Sequence, residues 1–312
     1  RDLGCAGRSV INKLVEKCVF FHYNRRYLVD WEEKEPVKDE LSADFIAGKL
    51  KERGILLAVQ VEKTVDSTNN VLKSYAAAGE SRDLVLLSEE QSAGRGRRGR
   101  SFFSPEGTGI YLSLLLHPDV TPEESTMLTT LTAAAAAVAI EAVTGVETQI
   151  KWVNDVFVRE KKIAGILTEA SLEPGKSSPE YVVVGIGFNL YMPEDGFPEE
   201  LREVAGSILE SSKHLKNLRN RLAAKFLISF MEYYRTFPGR SYLEEYRRRC
   251  FAIGRRVRIL EPEGAPGKSA ERAGLGREYA KVLGIDEECH LQVQYDDGTV
   301  ELLSGGEISI RL

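Results

Sequence analysis

The chain is poor in the residues that build disulfide frameworks and metal cages. Its four cysteines, Cys5, Cys18, Cys250 and Cys289, are spread over 312 residues, and no two stand in Cys-x-x-Cys spacing. That excludes a cysteine-stapled secreted scaffold and points to a reducing compartment, the cytoplasm. The four histidines, His22, His117, His214 and His290, are scattered, and neither His-x-x-His nor His-Glu-x-x-His occurs. A zinc site therefore has little support. No run of 18 apolar residues is present, so no transmembrane helix is expected; the richest run, Leu131 to Val143, is mostly alanine. A basic excess is missing too: the formal net charge is -5, so the chain as a whole is no nucleic-acid polycation. Internal repeats and low-complexity blocks are absent. The opening Arg1-Asp2-Leu3-Gly4 has neither a signal-peptide pattern nor an initiating Met, and it reads as the start of a fragment.

What is there is an ordinary globular balance, 43% hydrophobic and 29% charged, over about two domain lengths. Three regions separate by pattern. In residues 1–36, Val10, Ile11, Leu14, Val15 and Cys18 fall at helical spacing. The aromatic and β-branched stretch from Val19 to Val29 reads as a hairpin, and Glu32 to Pro36 as a linker. Residues 37–250 mix strands and helices. Leu84–Leu87 and Ile110–Leu116 are strand-like. Thr121-Pro122-Glu123-Glu124 starts a helix with a Thr cap, Pro at the first helical position and Glu three after the cap, and that helix ends near Gly145. Val156 to Thr168 reads as two strands joined by Arg159-Glu160-Lys161. Tyr181–Tyr191 is a buried strand with two glycines, and Leu215–Phe237 and Tyr242–Cys250 are helical. Paired strands and separate helices predict an α+β layer. In residues 251–312, short strands at Val257–Leu260, Ala280–Leu283, Leu291–Tyr295, Val300–Leu303 and Ile308–Ile310, with an Asp297-Gly298 turn, predict a small β-barrel. The stretch from Glu261 to Arg277, with two prolines and four glycines, is expected to be a loop.

Four segments carry candidate chemistry. In Glu90-Gln91-Ser92-Ala93-Gly94-Arg95-Gly96-Arg97-Arg98-Gly99-Arg100, three glycines alternate with four arginines. Glycine lets a backbone approach a ligand, and the guanidinium fork matches phosphate or carboxylate. The plain alternative is a solvated basic loop or a nucleic-acid-binding segment. A single copy held between two apolar strands favours a ligand loop, and the absence of Gly-Lys-Ser/Thr excludes a Walker loop. Asp66-Ser67-Thr68-Asn69 crowds a helix start with more capping groups than one cap needs. Lys151-Trp152-Val153-Asn154-Asp155 precedes Lys162, which is either a surface charge at a hairpin or a cation aimed at a phosphate or acyl oxygen. Asn154 and Asp155 suit a nucleotide and its Mg²⁺. Gly185-Ile186-Gly187-Phe188-Asn189 implies close approach of a backbone or ligand, and without a third glycine it is not a dinucleotide fingerprint.

Taken in order, Asp-Ser-Thr-Asn (66–69), the Gly-Arg loop (94–100), Lys-Trp-x-Asn-Asp (151–155), Lys-x-Ala-Gly-Ile-Leu (162–167), Gly-Ile-Gly-x-Asn (185–189) and Gly305-Gly306-Glu307-Ile308-Ser309 resemble the biotin protein ligases, over roughly residues 55–312. The resemblance implies a class II aminoacyl-tRNA synthetase-like catalytic domain, a central mixed sheet with helices on one face, followed by a small SH3-like β-barrel. It implies ATP-dependent activation of biotin to biotinyl-5′-AMP, then transfer to a lysine of a biotin carboxyl carrier domain. Lys162, Arg97 and Lys151 would be catalytic. Ser67, Thr68, Asn69, Gln91, Arg95, Gly96, Arg97, Lys162, Gly165 and Gly187 would bind biotin. Arg97, Arg100, Asn154, Asn189 and Arg311 would bind the nucleotide, and Asp155 would hold Mg²⁺. Family members often form homodimers through the central sheet, and some carry an N-terminal winged helix-turn-helix that binds DNA. Here residues 1–36 resemble a partial or degenerate one, with Arg8, Asn12 and Lys13 as its few DNA-facing groups. The sequence departs from the family at Val153, where proline is usual, and in the length of the stretch 261–277. The rivals are a lipoate–protein ligase, which would lack the full Gly-Arg loop, and a biotin-sensing regulator.

Overall fold

The computed structural model describes residues 39–172, 176, 178–260, 279–304 and 307–309. The expectations for residues 1–36, for the stretch 261–277, for Gly305-Gly306 and for Arg311 lie outside the described residues.

Seven strands form the central sheet: β1 (Ala58–Val65), β2 (Leu84–Gln91), β3 (Gly109–Leu116), β4 (Gln149–Lys151), β5 (Asp155–Val158), β6 (Lys161–Ser171) and β7 (Tyr181–Asn189). Their order is β1-β2-β3-β7-β6-β5-β4. β1 and β2 run parallel and every other pair is antiparallel, so the sheet is mixed as expected. The strands at its centre are mostly apolar and buried along most of their length because both faces are covered.

The helices are α1 (Ala43–Lys51), α2 (Thr68–Ala77), α3 (Pro122–Thr144), α4 (Leu218–Arg235) and α5 (Leu243–Arg249). The expected start of α3 is confirmed in full: Thr121 accepts from Glu124 N, Glu124 answers on the Thr121 N–H, and Gly145 closes the helix in the left-handed conformation. Its run of alanines lets α4 pack closely against it. α3 is long and apolar enough by composition to cross a membrane, but most of it is buried inside the protein.

The expectation of helices on one face needs correction. α3 and α4 pack with Val85, Leu112, Leu114 and Val184 on one face, whereas α2 packs with Leu84, Leu86, Leu115 and Val183 on the other. The physical reason is the parallel β1–β2 pair, which needs a crossover rather than a tight turn, and α2 is that crossover. The first strand and α1 were themselves not anticipated from the sequence.

A second sheet of five antiparallel strands follows: β8 (Arg256–Leu260), β9 (Tyr279–Ile285), β10 (Leu291–Tyr295), β11 (Val300–Leu303) and β12 (Glu307–Ser309), in the order β11-β10-β9-β8-β12. It is fastened to the central unit at one turn. Trp152 Nε1 donates to Cys289 O at 3.0 Å, and Thr130 of α3 bonds the buried Cys289 thiol at 3.2 Å. Trp152, expected as part of a chemical motif, is thus a structural anchor. The Trp152–Val153 peptide is cis.

A buried polar cluster joins α4 to the sheet. Arg219, 1% exposed, donates from Nε to Gly109 O at 2.7 Å and from Nη1 to Asp39 O at 3.0 Å, and it pairs with Glu89. Asp39 also accepts from Tyr191 and from the Arg219 N–H. Burial raises the Asp39 pKa, and the bonds from Arg219 and Tyr191 only partly offset that rise. Removing the Arg219 side chain leaves the largely buried Glu89 carboxylate without its cation and the Gly109 and Asp39 carbonyl oxygens without this donor. Arg219→Ala should therefore cost about 3–5 kcal/mol in urea unfolding, and a loss under about 1 kcal/mol would show that the cluster is dispensable.

Candidate active site

An open cleft with about 440 Å³ of atom-free space, solvent at its mouth included, lies on the α2 face of the sheet. Its floor is the β6–β7 pair, its back is the N-terminus of α2, and its roof is the loop after β2.

The floor exists because three glycines have no side chains. In the register of β6 and β7, Gly165 pairs with Gly187 and Leu167 with Gly185. A Cβ on Gly185 would come within 2.0 Å of Asn69 Oδ1, and one on Gly187 within 2.3 Å of the Phe102 ring. One on Gly165 would meet the end of Lys162 at 3.0 Å. The close approach read from the sequence is real, and the approaching groups are side chains rather than another backbone.

At the back, Ser67 is the N-cap of α2, yet its hydroxyl makes no capping hydrogen bond. The cap comes from another element: Gln91 Oε1, on β2, accepts the Thr68 N–H at 2.9 Å and the Thr68 hydroxyl at 3.2 Å. Asn69 is buried and bonded on both sides. Its Nδ2 donates to Leu167 O (3.2 Å) and Glu169 Oε2 (2.9 Å), and its Oδ1 accepts from Ser113 at 2.5 Å. The Ser113 hydroxyl also lies 2.7 Å from Thr68 Oγ1. The surplus of capping residues at this helix start is therefore used, but as a polar wall of the cleft.

The roof is a short hairpin. Gly96 N donates to Arg100 O at 2.7 Å, Phe102 N to Gly94 O at 2.8 Å, and Arg98 and Gly99 turn the chain with positive φ. Arg95 reaches Asn70 Oδ1 (3.0 Å) and Glu169 Oε2 (2.9 Å); Arg97 reaches Asn154 Oδ1 (3.0 Å). Opposite the roof, Lys162 Nζ lies 2.7 Å from Asp155 Oδ1. The backbone of Lys162 is clamped by Val204 O and Gly206 N. Lys162 is thus no loose surface charge.

Glu169 takes a third donor, Lys73 Nζ at 2.9 Å. Burial tends to raise the Glu169 pKa. The hydrogen bonds from Asn69 and Lys73 and the charges of Lys73 and Arg95 outweigh that, so it lies below the ordinary carboxylate range.

Of the expected site residues, Ser67, Thr68, Asn69, Gln91, Arg95, Gly96, Arg97, Asn154, Lys162, Gly165 and Gly187 all line this one cleft. Arg100, Lys151, Asp155 and Asn189 are not on its wall. Arg100 is exposed at the foot of the hairpin. Asp155 acts on the cleft through Lys162, and Asn189 donates to Gly206 O at 3.0 Å at the end of β7. No cluster of three or more candidate metal ligands includes Asp155 among the described residues. A single carboxylate suits Mg²⁺ only in the mode where phosphates and water supply most ligands. Phe102, Ser113 and Glu169 were missed. The alternation along β6, which sets Gly165, Leu167 and Glu169 on one face, could have flagged Glu169.

A polar wall, a glycine floor and a cationic roof can hold a ligand with a hydrogen-bonding head and an anionic end. Gly185→Ala should displace Asn69 and destabilise the protein by about 1–3 kcal/mol in thermal unfolding. Gly48→Ala, in open space on α1, should not destabilise it. Equal behaviour of the two would contradict the close-approach account.

Three comparisons bear on the identity of this cleft. The model of the biotin/lipoate A/B protein ligase family matches residues 61–189, and that of the biotin protein ligase C-terminal domain matches residues 272–311. The bifunctional ligase/repressor BirA of Bacillus spizizenii is 32% identical over 272 residues, which are 82% of this chain and 78% of that protein. The biotin--[acetyl-CoA-carboxylase] ligase of Mycobacterium tuberculosis is 31% identical over 254 residues, 78% of this chain and 86% of that protein. Among solved structures, the biotin protein ligase from Aquifex aeolicus in complex with biotin and ATP superposes with a TM-score of 0.64 at 27% identity, covering 81% of this chain and 98% of that one.

Proposed function

This chain belongs to the biotin protein ligase family, and on that premise we propose that the cleft holds biotin and the α-phosphate of ATP side by side. The enzyme activates biotin with ATP and transfers it to a protein lysine. In the first step a biotin carboxylate oxygen attacks the α-phosphorus, and the bond to the leaving pyrophosphate breaks. In the second the lysine amine attacks the acyl carbon, AMP leaves, and the amine gives up a proton.

The observation that carries the assignment is the convergence of Lys162, Arg97 and the polar wall on one glycine-floored cleft. Two anions must meet in the first step, so neutralising and aligning them is the main catalytic task. Lys162 supplies a fixed cation at the reacting oxygens, oriented by Asp155. Arg97, steadied by Asn154, covers the phosphate, and Arg100 and Lys151 add positive charge nearby. Ser67, Thr68, Asn69 and Gln91 offer the donors and acceptors that a ureido ring needs, Gly165 and Gly187 let Lys162 and Phe102 lie close on the floor beside it, and Gly96 and Arg95 belong to the roof over it. Asn154 and Asn189 serve the nucleotide side, with Arg311 joining from the C-terminal region. Asp155 would be the protein carboxylate for a Mg²⁺ ion, which would supply charge neutralisation on the triphosphate when bound.

The same reading extends to organisation. Residues 37–250 form the class II synthetase-like catalytic domain, residues 251–312 an SH3-like barrel, and residues 1–36 a partial or degenerate winged helix. The carrier is a biotin carboxyl carrier domain. Homodimerisation would use the central sheet, whose β1 edge has no strand partner among the described residues. A repressor role, as in the names of several relatives, would rest on residues 1–36 and show as operator binding in a gel shift. The free Cys250 and Cys289 accord with a cytoplasmic protein.

Lys162→Ala should slow single-turnover adenylate formation by about 10²–10³-fold, the scale of losing one preorganised electrostatic contact, with unchanged circular dichroism. Adenylation at the wild-type rate would remove Lys162 from its role. Arg97→Ala should release adenylate into solution, detectable as free biotinyl-5′-AMP after gel filtration.

A further inference from the structure

We infer that Glu169 is a positioning residue for biotin recognition: its carboxylate fixes the amide of Asn69 and holds the Arg95 end of the roof down over the cleft. This rests on the reading of the cleft as the biotin site.

Glu169 lies beyond the cleft wall, one rung further along the floor. The rungs run Gly165–Gly187, Leu167–Gly185, Glu169–Val183, all facing α2. At that place it is about three-quarters buried, and both of its oxygens are engaged. Oε2 accepts from Asn69 and Arg95, each at 2.9 Å, and Oε1 accepts from Lys73 at 2.9 Å. The three donors come from two separate segments, α2 and the roof hairpin.

Each bond has a distinct consequence. An amide side chain has two N–H donors and one carbonyl, and nothing in its shape tells one end from the other. Leu167 O and Glu169 Oε2 accept from Nδ2 while Ser113 donates to Oδ1, so only one orientation of Asn69 satisfies all three. Without the carboxylate that preference weakens and the polar wall loses its register. Arg95 stands between Gly94 and Gly96, where the backbone offers little stiffness of its own. Its guanidinium bonds to Asn70 and Glu169 tie the root of the hairpin to α2 and β6. An ion pair between two exposed groups would do little; here Arg95 is exposed, but the carboxylate it meets is about three-quarters buried and shared among three donors. Arg95 is turned toward Asn70 and Glu169 at the α2 side of the cleft, whereas Arg97 meets Asn154 and Lys162 meets Asp155 at the other side. Glu169 therefore acts on affinity for biotin, and not on the chemical step.

The test uses the whole protein and the isosteric Glu169→Gln, which keeps the shape and loses the charge, with Lys73→Met as the control that cuts only the third bond. Biotin affinity is read by calorimetry without ATP, steady-state constants by pyrophosphate release, and the roof by the rate of tryptic cleavage within 94–100. Glu169→Gln should raise the Kd and KM for biotin about tenfold and leave kcat and the KM for ATP within about twofold. It should also speed cleavage of the roof in the ligand-free protein. Lys73→Met should match wild type in every reading. Combining Glu169→Gln with Arg95→Ala should cost biotin affinity less than the product of the two single losses, because the Arg95 bond is shared between them while the Asn69 bond is not. Wild-type biotin affinity in Glu169→Gln, or an equal loss in Lys73→Met, would overturn the inference. Failure of the wild-type protein to bind biotin would instead overturn the assignment of the cleft, and the cleavage rates would still decide whether Glu169 holds the roof.

Discussion

Everything at the cleft depends on how closely side chains can lie against the β6–β7 rungs. Asn69 and Phe102 occupy space that a Cβ on Gly185 or Gly187 would fill, and Lys162 sits against Gly165 in the same way. The missing side chains bring α2 and the roof hairpin down onto the sheet, so that groups far apart in sequence meet in one place. Lys162 and Arg97 are then held by Asp155 and Asn154, while Arg95 is held by Glu169 and Asn70. A cation that is already oriented loses little freedom when an anion arrives, which is the source of electrostatic preorganisation.

The rest of the fold keeps that floor rigid. β7 is paired on both sides, by β3 and β6, and its apolar residues are buried under α2 on one face and under α3 and α4 on the other. The Arg219 cluster pins the start of α4 to the first residue of β3 and to Glu89 on β2. Trp152 and Thr130 fasten the C-terminal sheet at Cys289, beside the turn that carries Asn154 and Asp155. Placing a structural tryptophan two residues before a site asparagine couples the position of the second sheet to the site.

Much of this was legible in the sequence because the signals are local. The Thr121 capping box and Gly145 bound α3, the turn at residues 159–160 separates β5 from β6, and the Gly-Arg run marks the roof. Every residue expected at the biotin end of the site proves to line one cleft. What escaped depends on long-range packing. The face taken by α2 follows from a parallel pairing between strands 26 residues apart in register, and β1 itself has a half-exposed pattern with no clean alternation. That Gln91, and not Ser67, caps α2 is set by the β1–β2 pairing. Glu169 meets Arg95 across 74 residues of chain and has no motif of its own. Asn189 carries a motif, and the partner of its Nδ2, Gly206 O, lies 17 residues on in the chain.

The central claim is that this cleft joins biotin to the α-phosphate of ATP. Its most direct test is pyrophosphate release by the wild-type protein from ATP and Mg²⁺ with biotin, with lipoate, and with neither. Release that requires biotin, leaving an enzyme-bound biotinyl-5′-AMP, is the expected result. Release supported by lipoate and not by biotin, or none from folded protein with either, would contradict it.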